Sequence, residues 1–193
     1  MSKKPALRDH TATLIVEGAA LVLAERGDAA SMSVIADAVG VGRATLYRYF
    51  PSREVLLQAM ADAALDELSN RLTEAQLDTV EVPEGIARLA RAFITTGGKY
   101  VALMRTGHKP ADPALVDRRI GEPLRDLFRR GIASGTLRDD LMPETQLAMF
   151  SSLLEAGITL SARPGSGVEQ ASAAVTAVFL HGTSTTRPTD SSQ

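Results

Sequence analysis

The chain has 193 residues, of which 45% are hydrophobic, 23% charged and 4% aromatic, enough for one large or two small domains and too apolar to stay disordered. Twenty-one Lys and Arg against 23 Asp and Glu leave a net charge of −2, so the whole molecule exerts no bulk attraction on nucleic acid or an anionic membrane, and any basic surface must be local. The absence of cysteine excludes disulfides, thiol catalysis, iron–sulfur clusters and cysteine zinc sites.

Lys3 and Lys4 ahead of Leu14-Ile15-Val16 imitate a secretory leader, but Asp9, Glu17 and Glu25 break that reading. The longest uncharged run, Gln170 to Thr186, carries Ser, Thr, Gln and His and is too polar for a membrane span of about 20 apolar residues. The chain therefore reads as soluble and cytoplasmic, with no membrane partner.

Sustained period-2 alternation and hairpin dipeptides are missing, while Ala, Leu, Glu and Arg recur at helical spacing, so the expected fold is all-α. A first helix from Asp9 to Arg26 carries Ile15, Ala19, Val22 and Leu23 on one stripe and stops at Gly27, which accepts a left-handed conformation. Ser31 offers an N-cap to a second helix ending at Val39, and Gly40-Val41-Gly42 separates it from a third, Arg43 to Tyr49. Ser52 is placed to cap a long fourth helix with Val55, Leu56, Met60, Ala63 and Leu68 as its apolar stripe, linking two domains.

Pro83 and Glu84 open the next helix, which Gly97-Gly98 is expected to break or bend. A loop over Gly107 to Pro113 leads into one helix from Ala114 to Ser134, stopped by Gly135. The last two helices, Pro143 to Ala162 and Gly167 to His181, are apolar on more than one side and lightly charged, which implies burial on two faces. Leu147, Leu154, Ile158, Ala171, Ala174, Val175 and Val178 are the candidate seam of a homodimer built as a four-helix packing. The division expected is residues 1–53 for DNA binding, 54–182 for effector binding and dimerisation, and 183–193 as a disordered tail.

Residues Ser31 to Phe50 fit a helix-turn-helix, with Ala36 small where the helices cross and Ile35, Val39, Leu46 and Phe50 as inward anchors. Arg43, Ala44, Thr45, Tyr47, Arg48 and Tyr49 are left on or near the outer surface. Arg43, at the N-terminal end of the reading helix, has a planar fork that matches guanine O6 and N7. Ala44 allows close approach or contact with a thymine methyl group, and the hydroxyls of Thr45, Tyr47 and Tyr49 suit phosphate oxygens. Arg48 suits a base or a phosphate. Ser31 and Arg53, at helix N-termini, suit phosphate, and Lys3, Lys4 and Arg8 form either a basic arm or a solvated tail. Residues 1–53 hold a net charge of +2 against −4 for the remainder, an asymmetry of the right sign but small.

At this point the run from Ser31 to Arg53, SMSVIADAVGVGRATLYRYFPSR, closely resembles the N-terminal signature of tetracycline-repressor (TetR) family transcriptional regulators. The resemblance reaches back through Ala19 to Gly27 and forward through Leu56-Leu57. It implies a homodimer on a palindromic DNA operator, usually a repressor, released when a small effector occupies the C-terminal domain. By position it puts Arg43, Ala44, Thr45, Tyr47, Arg48 and Tyr49 on the recognition helix and Arg53 at a phosphate. Gly42 stands where the family often has a polar cap, and Met32 where a Thr is common.

Gly40-Val41-Gly42 lacks the third glycine and the preceding strand of a dinucleotide site. His10, His108 and His181 are far apart, and no metalloprotease or nucleophile-elbow motif occurs, so neither an enzyme nor a cofactor is expected. Phe93, Tyr100, Met104, Phe128, Met149, Phe150 and Leu153 are apolar residues able to enclose an effector of unknown identity, or to be plain core. The competing classes are an effector-independent DNA-binding protein and a helical protein-interaction module.

Overall fold

The computed structural model describes the backbone of residues 4–183 and the side chains of residues 10–182 apart from Asp28, Val101, Ala102, Met104 and Arg105. Lys3 and, beyond Thr183, the expected disordered tail lie outside the described residues. Among the described residues there is no strand, and the fold is all-α. The helices are α1 (Lys4–Arg26), α2 (Met32–Val39), α3 (Arg43–Tyr49), α4 (Arg53–Ala75), α5 (Val82–Arg105), α6 (Pro113–Val116), α7 (Glu122–Ala133), α8 (Pro143–Ser161) and α9 (Val168–Thr183). None of these helices is long and apolar enough to cross a membrane.

The chain forms two compact units, residues 1–67 with 99–113, and residues 68–98 with 114–193. It passes from the first to the second within α4 and returns within α5.

In the first unit, Ile15, Ala19 and Leu23 of α1 meet Ile35 and Ala36 of α2, Leu46 of α3, and Leu56 and Met60 of α4 in one buried cluster, the stripe that the 3.6-residue period demands. Gly18 permits the crossing of α1 and α2, since a Cβ there would lie 2.5 Å from Val39 Cγ2. Tyr100 and Leu103, from the far end of α5, complete this cluster. On α4 the expected stripe needs correction: Val55 is 45% exposed, and Leu57, Ala61 and Leu65 are buried in its place. Lys4 and Arg8, considered for a basic arm, belong to the backbone of α1.

In the second unit Phe128, Phe150 and Phe179 form a triangle with ring centroids 5.7, 5.6 and 4.8 Å apart, tilted or edge-on as ring quadrupoles prefer. Gly97-Gly98 does not break α5. The helix runs through both residues and departs from helical dihedrals at Tyr100, with φ −107° and ψ 17°. Gly97 instead makes room for α8, because a Cβ there would lie 2.2 Å from Ile158 Cδ1. The helix expected over 114–134 runs without a break from Pro113 to Ala133, interrupted only in its hydrogen-bond pattern by a π turn at Asp117–Gly121 that joins α6 to α7. The connection from α4 to α5 is held by two arginines: Arg88 donates to the Ala75 carbonyl at 3.0 Å, and Arg130 to the Asp78 and Val80 carbonyls at 2.6 and 2.7 Å.

Candidate nucleic-acid interface

The two short helices of the first unit are shaped by local chemistry at each end. Ser31 adopts extended dihedrals, φ −71° and ψ 161°, and its Oγ accepts from Val34 N–H at 3.3 Å, satisfying an amide that the helix itself cannot. At the other end of α2, Gly40 takes φ +76°, Val41 N–H donates to the Ala36 carbonyl at 3.0 Å and Gly40 N–H to the Asp37 carbonyl at 3.3 Å. This pair of bonds closes the helix and turns the chain. Gly42 gives α3 no side-chain cap.

On α3, Leu46 is wholly buried and Phe50 follows it into the core, which fixes the rotation of the helix about its axis. Arg43, Ala44, Tyr47 and Arg48 are exposed, Tyr47 by 48%. Thr45 is half-buried, as is Tyr49, whose ring packs on the core cluster. The Arg48 guanidinium stands over that ring at 5.4 Å, a cation–π contact that restricts its rotamers. The outward face thus presents two guanidinium forks and a phenol, groups that donate to base edges and phosphate oxygens.

Arg53, expected at a phosphate, directs its Nη1 at the Ala30 carbonyl. Beside it, Ser52 Oγ accepts from Val55 N–H at 3.3 Å. The Glu54 carboxyl is held below its ordinary pKa by its own backbone N–H and by the Ser52 hydroxyl. The Ser52 hydroxyl thus satisfies one of the amides at the start of α4.

Contacts far apart in sequence complete the unit and were not legible from spacing. Gln58 Nε2 donates to the Lys109 carbonyl at 2.9 Å and Ala111 N–H to Asp62 Oδ1 at 3.0 Å, seating the loop after α5 on α4. Lys99 Nζ lies 2.8 Å from Glu67 Oε2 and 4.0 Å from Glu17 Oε1. Burial opposes its charge, yet the Glu67 hydrogen bond leaves its pKa raised.

The effector candidates are dispersed. Tyr100 is buried in the core of the first unit, and the side chain of Met104 lies outside the described residues. In the second unit Phe128 and Phe150 are in ring contact, Phe93 and Leu153 are half-buried, and Met149 is 56% exposed. A cavity of about 180 Å³ is lined by Arg125, Phe128, Arg129, Pro143, Glu144 and Leu147. Of the seam candidates, Leu154, Ile158, Ala171 and Val175 are buried and Leu147 half-buried, while Ala174 and Val178 are exposed. Among the described residues no three His, Cys, Asp or Glu gather as a metal site.

Comparison with known proteins agrees with this geometry. The family profile described as bacterial regulatory proteins, tetR family, matches residues 15–60, which run from the middle of α1 to the first turns of α4. The HTH-type transcriptional repressor LfrR of Mycolicibacterium smegmatis is 30% identical over 152 residues, covering 78% of this chain and 78% of its own. The HTH-type transcriptional regulator NfxB of Pseudomonas aeruginosa is 25% identical over 175 residues, covering 88% and 92%. The crystal structure of LfrR from Mycobacterium smegmatis in complex with proflavine superposes with a TM-score of 0.73 at 27% identity, covering 92% of this chain and 99% of that one.

Proposed function

The chain belongs to the tetR family of bacterial regulatory proteins, and from that membership we propose a homodimeric repressor whose hold on a palindromic operator is released by a small molecule. It is a helix-turn-helix, DNA-binding transcriptional regulator and not an enzyme. The observation that carries the finer reading is the outward face of α3, where exposed Arg43, Tyr47 and Arg48 are locked in direction by buried Leu46 and Phe50. Such a face suits the major groove, with Arg43 at the helix start reading guanine and Arg48, braced by Tyr49, reading a base or neutralising a phosphate. Ala44 meets the groove wall, and the hydroxyls of Thr45, Tyr47 and Tyr49 contact the backbone.

Dimerisation is supported by the apolar side chains that α8 and α9 leave in solvent, with Met149 56% and Val178 58% exposed. A two-fold axis through these helices would present two copies of α3, and half-sites one turn of B-DNA apart, about 34 Å, would receive them. Residues 1–53 are assigned to DNA and 54–182 to dimerisation and to the effector, in the cytoplasm where the operator lies. A similar protein named as a repressor and solved with proflavine supports ligand-controlled release. The effector acts only through its differential affinity for the two states, typically about 1–3 kcal/mol of coupling.

Selection of bound fragments from random duplex DNA tests the proposal. The expected outcome is a two-fold symmetric sequence with that half-site spacing. Enrichment of an asymmetric single site would overturn the dimer, and no enrichment would overturn sequence-specific reading by α3.

A further inference from the structure

We infer that Lys99 is a positioning residue for DNA reading, a latch that holds the bend of α5 against α1 and α4 and so fixes the frame that carries α3. Its ammonium lies 2.8 Å from Glu67 Oε2 on α4 and 4.0 Å from Glu17 Oε1 on α1, with the centroid of the Tyr100 ring 5.3 Å away. Three helices of the first unit thus converge on one charge. With side-chain exposures of 30% for Lys99 and 22% for Glu67, the pair stands apart from the fully solvated surface pairs that contribute almost nothing. Burial opposes the charge of Lys99, but the hydrogen bond to Glu67 and the two carboxylates keep the ammonium protonated.

The place of the latch along the chain suits that role. Glu67 and Lys99 are the residues at which α4 leaves the first unit and α5 re-enters it. α5 arrives through Gly97 and Gly98, departs from helical dihedrals at Tyr100, and sends Tyr100 and Leu103 into the cluster that also holds Ile15, Leu46 and Leu56. Two glycines and a departure from helical dihedrals leave the direction of the helix to its tertiary contacts. Apolar burial is non-directional, whereas an ammonium bonded to one carboxylate and facing a second fixes a distance and an angle. Glu17 precedes Gly18, where α1 crosses α2, and α4 begins directly after the turn that closes α3. α2 and α3 share their apolar cluster with both of these helices, so a change in the angle between α1 and α4 turns the reading face. Base reading depends on that geometry and phosphate attraction does not.

This role rests on the DNA-binding reading, and the experiment separates the two. Full-length protein is titrated, over a series of salt concentrations, with the duplex that the wild type selects and with a scrambled duplex of equal length. Lys99→Met removes a positive charge and Glu67→Gln a negative one, yet each should weaken the selected duplex about tenfold and leave the scrambled duplex within about twofold. Lys99→Arg, which keeps the charge and can still pair, should stay within about twofold of the wild type on both duplexes. Hydrogen exchange of free Lys99→Met should quicken at the Tyr100 and Leu103 amides and not in α9. If Lys99→Met does not fold, the milder Glu67→Gln carries the test.

Shifts of opposite sign in the two variants on both duplexes, following the charge removed, would overturn the latch in favour of long-range electrostatics. A salt slope shallower by about 0.9 for Lys99→Met would overturn it in favour of a phosphate contact. A lowered melting temperature with an unchanged ratio of selected to scrambled binding would reduce Lys99 to a purely structural part, and a Lys99→Arg variant as defective as Lys99→Met would show that pairing is not what the position supplies. Failure of the wild type to prefer any duplex would remove the DNA-binding reading and this role together, and is seen before a variant is made.

Discussion

At the scale of single residues, the same side-chain type has different fates according to what surrounds it. Arg43, Arg48 and Arg53 all lie within or next to the reading helix, yet Arg43 is exposed, Arg48 stands over the Tyr49 ring at 5.4 Å and Arg53 bonds a buried carbonyl. Only a guanidinium free to turn into a groove can pair bidentately with guanine. Replacing Arg43 by Ala should therefore cost about 1–3 kcal/mol and relax preference at one position of each half-site, read by repeating the duplex selection with the variant. Equal weakening on every sequence would show that Arg43 touches phosphate instead.

At the scale of elements, small residues and short-range ion pairs decide how the helices meet. A Cβ at Gly97 would lie 2.2 Å from Ile158 Cδ1 and 2.7 Å from Cγ1, whereas one at Gly98 meets nothing nearer than Ser161 Oγ at 3.8 Å. Gly97→Ala should thus destabilise by about 1–3 kcal/mol through overpacking, while Gly98→Ala should be neutral or stabilising by up to about 1 kcal/mol, since alanine is the better helix former. Thermal melting of the two variants checks the contrast, and equal melting points would refute it. The π turn supplies a second case. Asp117 and Arg125 pair bidentately at 2.8 and 3.0 Å across more than two turns, over Gly121, where a Cβ would lie 2.4 Å from Asp117 Oδ1. The hydrogen bond from Arg125 holds the Asp117 carboxyl below its ordinary range. A carboxyl lowered in the folded state adds stability above its unfolded pKa and loses it as pH falls. The stability gap between wild type and Asp117→Asn should accordingly be largest near neutrality and close below about pH 4, a small effect because the pair is exposed. Urea melts across pH measure it; a gap that widens in acid would reverse the assignment.

At the scale of the whole molecule, the proposed two-fold assembly makes dimerisation a condition of operator binding. Val178 is 58% exposed on α9, and a lysine there would bury an unpaired charge in the proposed seam, at a cost of several kcal/mol. Val178→Lys should sediment as a monomer and lose operator affinity while keeping its helical content. A variant that stays dimeric would move the interface elsewhere.

The order of elements through α4 was legible because each signal is local: Ser31 and Ser52 cap the next helix, Gly27 and Gly40 adopt positive φ, and α3 runs from Arg43 to Tyr49 as its pattern requires. Caps, left-handed glycines and a 3.6-residue stripe depend on neighbours within a few positions, so the chain alone specifies them. The glycines of α5 announced a weak point, and the helix does kink at the neighbouring Tyr100, but their packing role stayed hidden for the opposite reason. A glycine that weakens a helix and a glycine that lets another helix approach are identical in sequence, and only the presence of Ile158 distinguishes them. The same holds for residues 99–113, which join the first unit through packing that no local signal encodes. The sequence by itself determined the helices and the family to which they belong. Which faces are buried, and which basic side chains remain available to a partner, was decided by tertiary structure, because burial and hydrogen-bond partnership are properties of pairs distant along the chain.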